Sequence, residues 1–199
     1  MFASPVKGDM SGKDSRFVYN VLPSIPSFDS LKLKVQSIPD SDWEVWQERK
    51  VFHHQVDSLT IPLLCLPDRD NFVFRKKIEN SKYLKFLKKE LEECIDVLSR
   101  ALPGGEIKRS MLVKLPTACK VKEHVDIGYH LESCHRIHIP IITDSLVDFF
   151  CSGQKIPMQE GTTVDFNNNL SHSVNNSSSI NRIHLIIDWG IKNDPFYME

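Results

Sequence analysis

Hydrophobic positions change their period about half-way along the chain. Between residues 75 and 101, Leu84, Leu87, Leu91, Cys94, Ile95 and Leu98 recur every three or four residues, which predicts one amphipathic helix with an apolar stripe to cover. Leu102-Pro103-Gly104-Gly105 ends it. From Gly105 onward the runs shorten: 107–115, 136–143, 147–151, 162–166, 172–175 and 182–189 read as short strands with Gly, Pro, Asn and Ser between them. Many short strands with regular turn signals predict a β-sandwich or small barrel. Upstream, residues 17–66 are punctuated by Pro23, Pro26, Pro39 and Pro62, and fit short strands with one short helix. The stretch 56–66 reads as a strand bent or edged at Pro62. The expected organisation is a mobile tail at 1–15 and a single domain at 16–199, with a flanking helix at 75–101 and a β core at 105–189.

Two of these strands carry polar residues in one phase. In 136–141, Ile137, Ile139 and Ile141 share a face, and Arg136 and His138 share the other. In 182–189, Ile183, Leu185, Ile187 and Trp189 face one way, and Arg182, His184, Ile186 and Asp188 the other. The second face is either solvent or a polar lumen. Lys, Glu and Thr suit solvent; Arg and His repeated in one phase suit a cavity that holds an anion, since arginine offers a planar fork to a carboxylate. Asp188-Trp189 reads as a packing pair at a strand end, His53-His54 as a strand-edge pair, and His130 and His135 as exposed loop residues.

Composition narrows the classes. The chain has 199 residues, 41% of them hydrophobic and 26% charged, and a formal net charge of −1, which describes a globular protein and not a disordered one. The charge gives no general attraction to nucleic acid or an anionic membrane. The basic run at 75–90 is expected to be a solvated helix face. No apolar stretch is long enough to span a bilayer, and the first residues lack the apolar core of a secretory signal, so a cytoplasmic location is expected. Cys65, Cys94, Cys119, Cys134 and Cys151 contain no Cys-x-x-Cys, and reduced structural thiols are expected.

The candidate chemistry is in Glu123-His124-Val125-Asp126. In an extended segment His124 and Asp126 point to one side, two-thirds of the 2-His-1-carboxylate set that binds non-haem Fe(II). His172 follows after a gap that holds about four short strands, enough for the chain to return beside the pair. Arg182 opens the next strand, with its side chain on the polar face.

These residues resemble the aspartyl/asparaginyl β-hydroxylase family of Fe(II)- and 2-oxoglutarate-dependent oxygenases. The resemblance spans residues 105–189. Gly105-Glu106-Ile107-Lys108-Arg109-Ser110-Met111 is similar to the strand carrying a 2-oxoglutarate-binding serine, here Ser110. Glu123-His124-Val125-Asp126 and Ser171-His172-Ser173-Val174 match the two iron-ligand segments. Cys134-His135-Arg136-Ile137-His138 resembles the strand whose arginine and histidine face the co-substrate, and the segment at 181–189 the terminal strand with the 2-oxoglutarate arginine, here Arg182. The animal enzymes that act on EGF-like domains carry glycine where this chain has Asp126; in that respect it looks more like the bacterial free-proline hydroxylases of the same family.

The resemblance implies a mainly β, double-stranded β-helix (the cupin-like jelly roll) with a long flanking helix and a mixed N-terminal region. It implies Fe(II) on His124, Asp126 and His172, with Ser110, Arg136, His138 and Arg182 binding the co-substrate 2-oxoglutarate. The implied reaction is hydroxylation of an amino acid, free or within a peptide, with O2 consumed and succinate and CO2 released. No nucleic-acid or membrane partner is implied. A non-catalytic cupin-like metal- or ligand-binding module is the alternative, and turnover of 2-oxoglutarate to succinate discriminates the two.

Overall fold

The structure, a computed structural model, describes residues 17–43, 58–66 and 81–197. The expected N-terminal tail, the His53-His54 pair and the start of the expected long helix lie outside the described residues. The strands are Tyr19–Leu22 (β1), Leu59–Cys65 (β2), Gly105–Leu115 (β3), Lys120–His124 (β4), His135–Ile142 (β5), Val147–Cys151 (β6), Gln154–Lys155 (β7), Thr163–Phe166 (β8), His172–Asn176 (β9) and Arg182–Ile191 (β10). The helices are Phe28–Gln36 (α1), Lys82–Phe86 (α2), Lys88–Ala101 (α3) and Tyr129–Ser133 (α4).

The strands pair antiparallel in two sheets, ordered β1-β8-β5-β10-β3-β2 and β4-β9-β6-β7. Together they form a double-stranded β-helix, as the strand pattern and the resemblance imply. The expected single helix at 75–101 appears from Lys82 as two pieces that meet at Leu87. Leu87, Leu91, Cys94, Val97 and Leu98 are buried on the large sheet against Leu112, Leu185 and Ile187. Ile95, expected on that stripe, is 38% exposed, and Val97 takes its place.

Strand β10 explains how the fold makes a site. Its residues Arg182 to Gly190 are all buried, although Arg182, His184 and Asp188 are polar. One face (Ile183, Leu185, Ile187, Trp189) packs under the helices. The other face looks between the sheets, where Leu115, Phe149, Phe166 and Val174 form a second apolar cluster. Covering both faces leaves no solvent side, so the polar phase of this strand is the lumen of the β-helix. A bulge at Asp188/Trp189 shifts the β10–β3 register beside the buried carboxylate.

All five cysteines are free. Burial pushes the Cys94 thiol up to about 12 and the Cys134 and Cys151 thiols up to about 11, which makes these three structural rather than reactive. No helix among the described residues is long and apolar enough to cross a membrane.

Candidate functional site

His124 ends β4 and His172 begins β9, and the two stand directly opposite each other in the small sheet. Their rings are 4.2 Å apart, centroid to centroid. Asp126 follows in the segment after β4, tied to the loop after β8 by its own N–H, which donates to the Asn168 carbonyl at 3.1 Å. The chain then turns through Gly128 at φ 100°, a left-handed backbone that favours glycine, and the Gly128 N–H donates to Glu132 Oε1 at the start of α4. One ligand atom from each of His124, Asp126 and His172 lies within 4.8 Å of the others. His124 Nε2 is 3.7 Å from Asp126 Oδ1, and His172 Nε2 is 3.9 Å from Asp126 Oδ2.

The protonation pattern fits a metal. His124 Nδ1 lies 2.7 Å from the Lys122 carbonyl and His172 Nδ1 lies 2.9 Å from the Leu170 carbonyl. A carbonyl only accepts, so both Nδ1 atoms carry the proton and both Nε2 lone pairs face Asp126. Burial, aided by His172, pushes the His124 pKa below its ordinary value and keeps the ring neutral. Burial alone would raise the Asp126 pKa; Arg136, His172 and Asn168 outweigh it, and the carboxylate is ionised below the usual range. Two imidazoles that turn Nε2 toward an ionised carboxylate fit Fe(II).

Behind the triad runs a buried ionic chain. Arg136 Nη1 donates to Asp126 Oδ2 at 2.5 Å, and Arg136 Nε donates to Asp188 Oδ1 at 3.0 Å. Asp188 also accepts from Arg109 Nε at 2.5 Å and His130 Nε2 at 2.9 Å. Asn168 donates to Asp126 at 3.0 Å. Burial would raise the Asp188 pKa, but Arg109 and Arg136 hold it well below the carboxylate range. His130 and His135 are therefore not the exposed loop residues expected: His130 is buried on Asp188, and His135 pairs with Asp165 at 2.8 Å. Asp188 faces the lumen, as its place in the polar phase of the strand implies, and is not the packing partner of Trp189; the indole of Trp189 donates to the Leu102 carbonyl on the helix side.

A cavity of about 50 Å³ lies between the sheets. His124 and His172 line it together with Arg136, His138, Phe149, Phe166, Ile186 and Arg182. His138 sits edge-on to Phe149 and Phe166 and 3.3 Å from His184. His184 accepts from the Arg182 guanidinium at 2.6 Å. Burial, then Arg182, pushes the pKa of both histidines well down, so neither competes with Arg182 for an anion.

Of the expected co-substrate residues, one is engaged by other partners and one lies outside the cavity. Arg136 lines the cavity, but its three nitrogens are engaged by Asp126 and Asp188, so it braces the triad. Ser110 is opposite Ile187 in the β10–β3 register, whereas Arg182 is opposite Leu115. Facing residues of an antiparallel pair point to the same side, which puts Ser110 on the helix side, away from the lumen. Ser58, which the sequence reading did not single out, lines the cavity instead. Its signal was the phase it shares with Thr60 at the start of β2, and that phase acquires meaning only once the β2–β3 register is known.

The model of the aspartyl/asparaginyl β-hydroxylase family matches residues 76–190, more than half of the chain. The chain belongs to that family. As a member it is an Fe(II)- and 2-oxoglutarate-dependent oxygenase. Its fold is similar to that of a Trichoplax adhaerens prolyl hydroxylase solved with a hypoxia inducible factor oxygen degradation domain peptide fragment. The identity there is 11%, over 88% of this chain and 84% of that one, at a TM-score of 0.56. The viral collagen prolyl hydroxylase of Paramecium Bursaria Chlorella virus-1, solved as its 2OG complex, is 9% identical over 88% of this chain and 97% of that one, at a TM-score of 0.51. A Pseudomonas putida prolyl-4-hydroxylase is 9% identical over 90% of this chain and 95% of that one, at a TM-score of 0.50. At these identities the likeness is one of fold. No curated protein sequence matches the chain.

Proposed function

We propose that this β-hydroxylase family member hydroxylates an amino-acid side chain, free or within a peptide. In this reading His124, Asp126 and His172 hold the metal and Arg182 holds the distal carboxylate of 2-oxoglutarate. The observation that carries the reading is the convergence of three ligand atoms within 4.8 Å, two of them lining a cavity that also contains a buried arginine. Fe(II) so bound, with 2-oxoglutarate and O2, supplies an oxidative decarboxylation that yields succinate and CO2 and transfers one oxygen atom to a C–H bond.

The chain's own residues do the rest. Nδ1 donation to Lys122 and Leu170 fixes both imidazole planes. Arg136 and Asn168 hold the Asp126 carboxylate in place and keep it ionised. Phe149, Phe166 and Ile186 give the space between the ligand triad and Arg182 apolar walls. Val125, Ile127 and Tyr129, which flank Asp126, are 44%, 72% and 47% exposed, and give the metal side an apolar rim for the substrate. Amino-acid and peptide substrates suit such a rim beside a small polar centre. The prolyl hydroxylases of similar fold, one of them solved with a peptide, support the same substrate class.

The test is a succinate-release screen with Fe(II), ascorbate and 2-oxoglutarate over the twenty amino acids and a set of short peptides, Pro-, Asp- and Asn-containing ones included. Substrate-stimulated succinate release that disappears in His172→Ala supports the proposal. A wild-type protein that binds metal and 2-oxoglutarate but leaves every amino acid and peptide unmodified refutes the substrate class.

A further inference from the structure

The anion end of the cavity lies where β2, β3 and β10 run side by side. Arg182 on β10 faces Leu115 on β3, and on β2 Leu59 faces Lys114 while Thr60 faces Val113. Side chains alternate along a strand, so the residue before Leu59 falls on the side of Leu115 and Arg182. That residue is Ser58. It is 5% exposed and lines the cavity with Leu115, Val113 and Arg182. Neighbouring strands lie about 4.8 Å apart, so Ser58 and Arg182 flank Leu115 across roughly 10 Å of backbone. An arginine side chain reaching inward and one carboxylate fill such a gap.

The chemistry of the pair is specific. A carboxylate offers about four lone-pair sites: the guanidinium fork takes two, and a hydroxyl donates to a third. His184 accepts from the Arg182 guanidinium at 2.6 Å and sets the fork from behind. The floor between the two polar groups is Val113, Leu115 and Ile186, which offers an anion no competing donor. Ser110 is fully buried on the opposite face, beside Ile187, and its Oγ has no hydrogen-bond partner. It cannot reach the lumen without reversing the phase of β3, which would turn Met111 and Val113 outward and Leu112 inward.

We infer that Ser58, and not Ser110, donates the hydroxyl that completes the distal-carboxylate site around Arg182. The inference rests on the proposed function, because the anion is the C5 carboxylate of 2-oxoglutarate. The site therefore extends beyond the segment that matches the family, to a strand upstream of it.

The experiment is a calorimetric titration of 2-oxoglutarate into the Mn(II)-loaded full chain without O2. A parallel titration uses oxalate, which keeps the metal-chelating oxygens and lacks the distal carboxylate. Losing a hydroxyl that donates to a charged group predicts about ten- to a hundredfold weaker 2-oxoglutarate binding in Ser58→Ala, with oxalate binding unchanged. Ser58→Thr keeps the hydroxyl and is expected to stay close to wild type; Ser110→Ala is expected to bind both ligands as wild type does. Wild-type 2-oxoglutarate affinity in Ser58→Ala overturns the inference, as does an equal loss for both ligands, which would mark a general defect. A wild-type protein that binds oxalate but not 2-oxoglutarate overturns the proposed function and this inference together, and is distinguishable because no variant is needed to see it.

Discussion

The substitution Asp188→Asn tests whether the ionic chain behind the triad carries the site. Asp188 is 1% exposed and receives hydrogen bonds from Arg109, Arg136 and His130. Asparagine has nearly the same shape, so packing is preserved and charge is removed. Arg109 and Arg136 then stay buried with only a neutral oxygen between them. Breaking a buried ion pair from one side costs about 3–5 kcal/mol. The remaining amide oxygen still accepts, and Arg136 keeps Asp126, so the lower end, about 3 kcal/mol, is expected. For a chain of this size each kcal/mol moves Tm by about 2–4 °C, which gives a drop of about 6–12 °C in the metal-free protein. A guanidinium no longer shared with Asp188 leans fully on Asp126, and Mn(II) affinity is expected to fall about tenfold or more, as for other groups that orient metal ligands. The assays are a circular-dichroism melt and a Mn(II) titration. Acid adds a third reading. The Asp188 pKa is depressed in the folded state, so its stabilisation is present above the unfolded value of about 3.9 and is lost as pH falls below it toward the folded value. The wild type is expected to lose its advantage over Asp188→Asn in that window. A Tm within 2 °C of wild type at pH 7, together with unchanged Mn(II) affinity, would refute the reasoning.

Three further outcomes are expected. His124→Ala, Asp126→Ala and His172→Ala each lose Mn(II) binding by titration while keeping a cooperative melt; in wild type affinity falls as acid protonates the ligands, and burial, which lowers the His124 pKa, shifts the His124 part of that loss toward lower pH. Arg182→Ala weakens 2-oxoglutarate binding to the Mn(II) form about a hundredfold or more, and Arg182→Lys, which keeps the charge but not the fork, falls between it and wild type; an unchanged Arg182→Ala would mean that another cation holds the carboxylate. Gly105→Ala places a Cβ inside the indole of Trp189, and is expected to cost about 1–3 kcal/mol, read as a lower Tm with unaltered Mn(II) affinity.

The triad was legible because its signal is local: His124 and Asp126 are two residues apart, and His172 stands at the head of its own strand. Arg182, His138 and Asp188 were legible as one polar phase, and the structure turns that phase to the lumen. What the phase did not reveal was the partner of each residue. Arg136 and Asp188 meet across β5 and β10, and His130 reaches Asp188 from α4, so their mutual neutralisation depends on pairings between distant segments. Ser110 shows the limit most clearly. Strand β3 is buried on both faces from Lys108 to Leu115, so its own pattern does not say which side is the lumen. Only the register against β10 decides it, and the same register brings Ser58 into the cavity.

Strand β10 also acts as a gauge. Arg182 stands at its start and Asp188, which steadies the metal side through Arg136, stands six residues on, about 20 Å along the backbone at roughly 3.3 Å per residue. The strand is hydrogen-bonded on both sides, to β3 and to β5, so that separation cannot stretch or shorten to suit a ligand. Under the proposed function, Arg182 holds the distal carboxylate at one end of this strand and Asp188 steadies the metal side at the other, so the strand sets the span a co-substrate has to match. A dicarboxylate one methylene longer or shorter is then expected to bind the Mn(II) form more weakly than 2-oxoglutarate.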